Sequence, residues 1–140
     1  MKAVDTSAIV AVARRELYWA DYAVFLMEHD CLVGAGTLLE AHLVLSREEP
    51  WRGRDYIDLL RASGNIDVVP LDEAHLLAAR DAFDRYGKGR HPAGLNLGDC
   101  LAYAVARVAN APLLDKGADF ARTDLRPAFV VPGTTAAPLA

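Results

Sequence analysis

The chain has 140 residues, the length of one ordinary domain, and 53% of them are hydrophobic, enough for a core without disulfide or metal staples. A net charge of −4 argues against a broad non-specific nucleic-acid surface and leaves room for a small basic patch beside a cleft. The apolar run Leu38–Leu45 is too short to span a membrane and contains Glu40 and His42, no secretory signal is visible, and Cys31 and Cys100 lack zinc-site spacing and read as free buried thiols of a cytoplasmic protein.

Short apolar runs alternate with helical periodicity along the chain. Lys2–Asp5 predicts a first strand. Trp19, Tyr22, Ala23 and Leu26 fall at i, i+3, i+4, i+7 and predict a helix near Tyr18–His29. Leu32–Gly36 predicts a second strand, with Glu40 in the first turn of the helix after it. Arg52–Ala62 predicts a helix with Tyr56, Leu59 and Leu60 inward, and Ile66–Val69 a third strand. After a cap at Asp72, Leu76, Ala79, Phe83 and Tyr86 make one helical stripe; after Gly98, Leu101, Ala104, Val105 and Val108 make another. Pro112–Asp115 and Ala128–Val131 complete the predicted strands. Residues 1–131 form one domain, and the Pro-, Gly- and Thr-rich residues 132–140 are expected to be a flexible tail. Strands separated by helices predict an α/β fold, a parallel sheet covered on both faces.

In such a sheet ligands bind beyond the carboxyl ends of the strands, where helix N-termini point. Asp5, Glu40, Asp99 and Asp119 all fall at positions that could face that crevice. Each has a plain structural role available. Thr37–Glu40 has the form of a capping box, Asn96–Asp99 resembles one, Asp5 could cap the helix starting near Thr6, and Asp119 could cap a turn at Phe120–Thr123. The set is harder to explain singly. Asp5 ends a strand near the middle of the sheet, and no Lys or Arg sits at a matching strand end. Converging carboxylates repel unless a hard cation joins them, and Mg²⁺ suits such oxygen ligands, with Mn²⁺ accepting the same set. The chemistry that follows is phosphodiester hydrolysis. Asp5 and Asp99 are expected to hold the ion directly, while Glu40 and Asp119 act through water, hold a second ion or orient the nucleophile. Ser7, or Thr6, is placed to hydrogen-bond a carboxylate or phosphate.

The segment from Arg85 to His91 carries three cations and a histidine beside two glycines, which let a backbone approach phosphate closely. It is not a Walker loop. Lys88, Arg90 and His91 are expected to contact an RNA backbone. Tyr18, Tyr22 and Phe25 form a second aromatic line on their helix, at i, i+4, i+7, either buried between neighbours or a docking face for another chain.

With these residues in view, the chain resembles the PIN-domain ribonucleases of the VapC type, the toxin half of bacterial VapBC toxin–antitoxin pairs. The resemblance runs to about Leu125. It rests on Val4-Asp5-Thr6-Ser7-Ala8, Leu38-Leu39-Glu40-Ala41, Tyr86–Ala93, Leu95–Cys100 and the stretch Pro112–Asp124 with its KGxDFxxTD pattern. It implies a three-layer α/β/α sandwich and a Mg²⁺- or Mn²⁺-dependent endoribonuclease whose acids match Asp5, Glu40, Asp99 and Asp119. It also implies a homodimer neutralised by a VapB-type antitoxin, with operator DNA bound only through the antitoxin and no membrane role. The Tyr18–Phe25 face is a reasonable place for the antitoxin.

Three stretches depart from the family pattern. Asp115 stands where an aromatic or apolar residue is usual, Gly34-Ala35-Gly36 where a serine is often found, and Arg14–Leu17 lacks a Glu-Pro element. Asp115 either adds a ligand or merely ends a strand. Two rivals remain: a catalytically inactive partner-binding module, and another acidic-cluster phosphoesterase. Against the second, a haloacid-dehalogenase type would need an acid where Ser7 stands, and Lys116 is a loose match to a receiver domain's lysine.

Overall fold

The computed structural model describes residues 1–63 and 65–131; the expected tail 132–140 lies outside the described residues. In chain order come β1 (Lys2–Val4), α1 (Thr6–Ala13), α2 (Trp19–Glu28), β2 (Cys31–Gly34), α3 (Ala35–Ser46) and α4 (Arg52–Ala62). They are followed by β3 (Ile66–Val69), α5 (Glu73–Tyr86), α6 (Leu97–Ala109) and β4 (Leu113–Leu114), then a 3₁₀ turn, Phe120–Arg122. The four strands pair in parallel in the order β3-β2-β1-β4.

Alternation along the strands splits the core in two. Ala3 and Leu113 face one side, with Tyr103, Val105 and Ala106 of α6 and Ala82 of α5. Val4, Leu114, Cys31 and Val33 face the other, with Ile9, Tyr22, Phe25, Leu38, Ala41, Ile57 and Leu60 from α1 to α4. This is the expected α/β/α sandwich. Among the described residues no helix is long and apolar enough to cross a membrane.

Helix starts follow local chemistry. The Asp5 Oδ2 accepts the Ser7 N–H at 3.0 Å and caps α1. Asp72 caps α5 and pairs with His75, and Asn96 and Asp99 form a reciprocal capping box on α6.

Several sequence expectations need correction. α3 starts at Ala35, so Thr37 lies inside it, the Thr37–Glu40 capping box does not form, and Glu40 sits in the second turn. In α4 the inward residues are Gly53, Ile57 and Leu60, while Leu59 is 69% exposed. The inward line therefore runs i, i+4, i+7 from Gly53, which lets α4 approach the His42 carbonyl of α3 so closely that a Cβ there would collide with it. On α5, His75 and Ala82 are buried, whereas Leu76 and Phe83 stay largely exposed because the helix lies at the edge and packs mainly on α6. Ala128–Val131 is not a strand. Leu113 bonds Arg126 and Ala128 on either side of Pro127, giving an isolated bridge; Pro127 has no N–H, and β4 is only two residues long.

Candidate functional site

β1 lies between β2 and β4, with α1 to α4 packed on one face of the sheet and α5 and α6 on the other, and in such a parallel sheet the crevice opens beyond the carboxyl ends of the strands. Asp5 stands at that end, 4% exposed. Its Oδ2 is used by the α1 cap, but its Oδ1 is buried with no hydrogen-bond partner. Burial raises the Asp5 pKa, the Glu40 charge adds to this, and hydrogen bonds from the Ser7 hydroxyl and backbone partly offset it.

The other acids lie around Asp5. Asp99, in the first turn of α6, is pushed up to about 6 by burial and by the charges of Asp5, Asp119 and Glu40, against a lowering hydrogen bond from the Asn96 backbone. Asp115, just past β4, is pushed up to about 7 by burial and by Asp5, Asp119 and Asp99. Asp119 stands before the 3₁₀ turn and its side chain makes no cap bond there, so the expected capping role is absent. The Thr6 hydroxyl donates to Glu40 Oε1, so one α1 residue holds the Glu40 carboxylate as Ser7 holds that of Asp5. A Cβ at Gly98 would collide with the Glu40 carboxyl group, so the glycine leaves the room in which that group rests over the start of α6.

Five carboxylates thus act on one another electrostatically, and among the described residues none has an ion-pair partner. The nearest ammonium in sequence, Lys116, is bound to Glu16 at 3.1 Å. The donor set is all hard oxygen, one oxygen is orphaned, and a glycine clears space for another. These features fit a hard divalent cation. Among the described residues no three acidic, histidine or cysteine side chains surround a common point.

The remaining predicted residues separate into two groups. Ser7 belongs to the cluster, and its Oγ also accepts the Lys116 N–H at 2.8 Å, tying α1 to the segment after β4. The basic turn is pinned to the approach to α6: Lys88 N–H donates to the Leu95 carbonyl and Leu95 N–H to that of Tyr86, both at 3.0 Å. Lys88 is exposed without an ion pair among the described residues, whereas Arg90 lies over the Phe83 ring and 3.9 Å from Asp84. The His91 Nδ1 accepts the Ala93 N–H at 3.0 Å and its ring meets Tyr86 edge-on, so this nitrogen is committed to the turn.

The aromatic line on α2 is corrected. Tyr22 and Phe25 are 4% and 6% exposed, packed against Phe129, and the Tyr22 hydroxyl donates to the Asp115 carbonyl. They are core, not a docking face; only Tyr18 reaches the surface, because the i+4 and i+7 positions point at the chain beyond Pro127. An apolar groove lies elsewhere, lined by Leu38, Leu39, His42, Ile57, Arg61 and Val68, and none of the five carboxylates borders it.

Sequence reasoning left Asp115 undecided and did not single out Gly98. The signal available for Asp115 was its place at the end of the expected strand Pro112–Asp115, as Asp5 ends the first; the register that sets the two side by side belongs to the folded sheet.

A crevice of acids at the end of a central parallel strand defines a class, and comparison agrees: the PIN domain family matches residues 2–125, and the chain belongs to it. Within that family its relatives are VapC ribonucleases. It is 40% identical over 124 residues to ribonuclease VapC36 of Mycobacterium tuberculosis, covering 87% of this chain and 89% of that one. It is 41% identical over 129 residues to ribonuclease VapC28 of the same organism, covering 90% and 96%. The crystal structure of M. tuberculosis VapC20, titled a sarcin-ricin loop cleaving toxin, superposes with a TM-score of 0.69 over 89% of this chain and 98% of that one; at 18% identity this is a likeness of fold.

Proposed function

We propose that this protein is the toxin of a type II toxin–antitoxin pair, a cytoplasmic endoribonuclease that hydrolyses RNA phosphodiester bonds with Mg²⁺, or Mn²⁺ in its place. The observation that carries the reading is the buried, unpartnered Asp5 Oδ1 at the centre of a carboxylate cluster with no counter-cation among the described residues, in a chain of the PIN family. Asp5 and Asp99 would hold the ion directly; Glu40 and Asp119 would act through water, hold a second ion or orient the attacking water.

When bound, a divalent ion polarises the phosphoryl group and lowers the pKa of a water in line with the leaving oxygen. The protein's own part is placement. Ser7 fixes the rotamer of Asp5, Thr6 fixes that of Glu40, and the Asn96 backbone fixes that of Asp99. Lys88 offers the RNA backbone a free ammonium, with Arg90 and His91 beside it. The chain's relatives, named VapC ribonucleases, support a VapB-type antitoxin as its partner; the assembly we propose with it is a homodimer that reaches operator DNA only through the antitoxin.

The test is cleavage of RNA by the purified, antitoxin-free protein. Cleavage is expected with Mg²⁺ or Mn²⁺ and is expected to stop with EDTA. Asp5→Asn and Asp99→Asn should each abolish it and relieve growth arrest. Asparagine caps a helix as well as aspartate, so Asp5→Asn keeps the α1 cap and separates chemistry from folding. Normal cleavage by either variant would refute the assignment.

A further inference from the structure

Asp115 is the one member of the cluster to which the reading above gives no task. Sheet register explains its position. β1 and β4 pair with Ala3 beside Leu113 and Val4 beside Leu114. One step further, the Asp5 N–H donates to the Leu114 carbonyl at 2.9 Å, so the next two residues are Asp5 and Asp115. Paired positions on adjacent parallel strands share a face, with backbones about 4.8 Å apart.

The backbone around Asp115 is held firmly. Tyr22 of α2 donates to its carbonyl at 3.2 Å, and the next N–H, that of Lys116, donates to Ser7 of α1 at 2.8 Å. Rotation of this segment away from Asp5 would break both bonds. Nor does a cation neutralise the pair: the Lys116 ammonium is 3.1 Å from Glu16, and Asp115 itself has no ion pair among the described residues. An independent observation lies beside it. Asp5, more than nine-tenths buried, keeps Oδ1 without any partner. A buried carboxylate oxygen left bare next to a second carboxylate on a firmly held backbone is costly unless something positive joins them.

We propose that Asp115 is a divalent-cation ligand of this chain, acting with Asp5 and Asp119 on the β4 side of the cluster. The inference rests on the cation of the nuclease reading and adds a donor to it. An additional oxygen ligand of full charge raises affinity for a hard ion, so this site holds Mn²⁺ more tightly than the other four acids would alone.

The experiment is calorimetric titration of Mn²⁺ into the chelator-stripped full chain, above about pH 7.5 so that the acids are ionised. Parent, Asp115→Asn, Asp115→Glu and Asp99→Asn are compared, with melting of each metal-free protein as the folding control. Asp115→Asn is expected to weaken Mn²⁺ binding by about tenfold or more, with Asp115→Glu recovering part of the loss. Its metal-free melting temperature should be no lower than the parent's, because a repulsion has been removed. Parent-like or tighter Mn²⁺ binding by Asp115→Asn, while Asp99→Asn binds weakly, would overturn the role of Asp115 and leave the nuclease reading standing. If Asp99→Asn also binds as the parent does, the cation reading itself fails.

Discussion

Asp99 and Asp115 titrate far from where free carboxyl groups do, at about 6 and about 7. Burial is the first cause in both, and neighbouring negative charge adds to it. The unfolded chain releases these protons near pH 3.9. Between about pH 4 and pH 7 the folded, metal-free protein therefore holds protons that the unfolded chain has lost. The contribution of these two groups to stability is full below that interval and is lost as pH rises through it. In EDTA the melting temperature should be higher near pH 5.5 than near pH 8. Asp115→Asn should flatten the difference. Saturating Mn²⁺ should remove it, since ligands must be deprotonated and binding near pH 6 releases protons. A melting temperature in EDTA that climbs from pH 5.5 to 8 would contradict the cluster's electrostatics.

At the scale of elements, the site depends on α3 and α6 meeting at one point without a side chain between them. Gly98 lies in the first turn of α6, where alanine would favour the helix by about 1 kcal/mol. A methyl group there would strike the Glu40 carboxyl, the far end of a flexible side chain that can swing away. Gly98→Ala should therefore leave the melting temperature within a few degrees of the parent, roughly what 1 kcal/mol is worth in a domain of this size. Cleavage should nevertheless fall by at least about tenfold, because Glu40 loses its place over α6 and its bond from Thr6. Unchanged cleavage in a folded Gly98→Ala protein would show that Glu40 does not need that position. The same packing logic explains why Tyr22 and Phe25 are unavailable to a partner: α2 spends its aromatic line on Phe129.

At the scale of the whole molecule, one sheet brings together groups from both halves of the chain. Asp5 leaves β1, Asp115 and Asp119 follow β4, Asp99 opens α6 and Glu40 comes from α3. A ligand that binds only this assembled set stabilises the fold by mass action, by about 2.7 kcal/mol at a hundredfold excess over its dissociation constant. Mn²⁺ or Mg²⁺ should accordingly raise the melting temperature in a concentration-dependent way that EDTA reverses. Asp5→Asn should lose most of that rise. An equal rise in Asp5→Asn would mean that the ion binds elsewhere.

Much of this was legible in the residues alone. β3 and α4 fall at their expected bounds, because a β-branched run and a 3.6-residue period are local signals. The caps at Asp5, Asp72 and Asn96 were likewise readable, since a cap joins groups within three positions of each other. The choice of Asp5, Glu40, Asp99 and Asp119 also came from sequence, from acids expected at strand ends and in first helical turns that could face one crevice. Local signals failed where a distant neighbour decided. Thr37 looked like a cap but lies inside α3, Leu59 fits a stripe but faces outward, and Pro127 stops a ladder that the apolar pattern would continue.

What the amino-acid order determined by itself is the succession of helices and strands, set by residues a few positions apart, and the acidic character of the site, set by which carboxylates the chain carries. Only the folded sheet decided that Asp115 stands beside Asp5, that one oxygen of Asp5 is left bare, and that Glu40 lies in the space cleared by Gly98. Those facts depend on register and helix approach between segments up to about a hundred residues apart, and no pattern within a single segment encodes them.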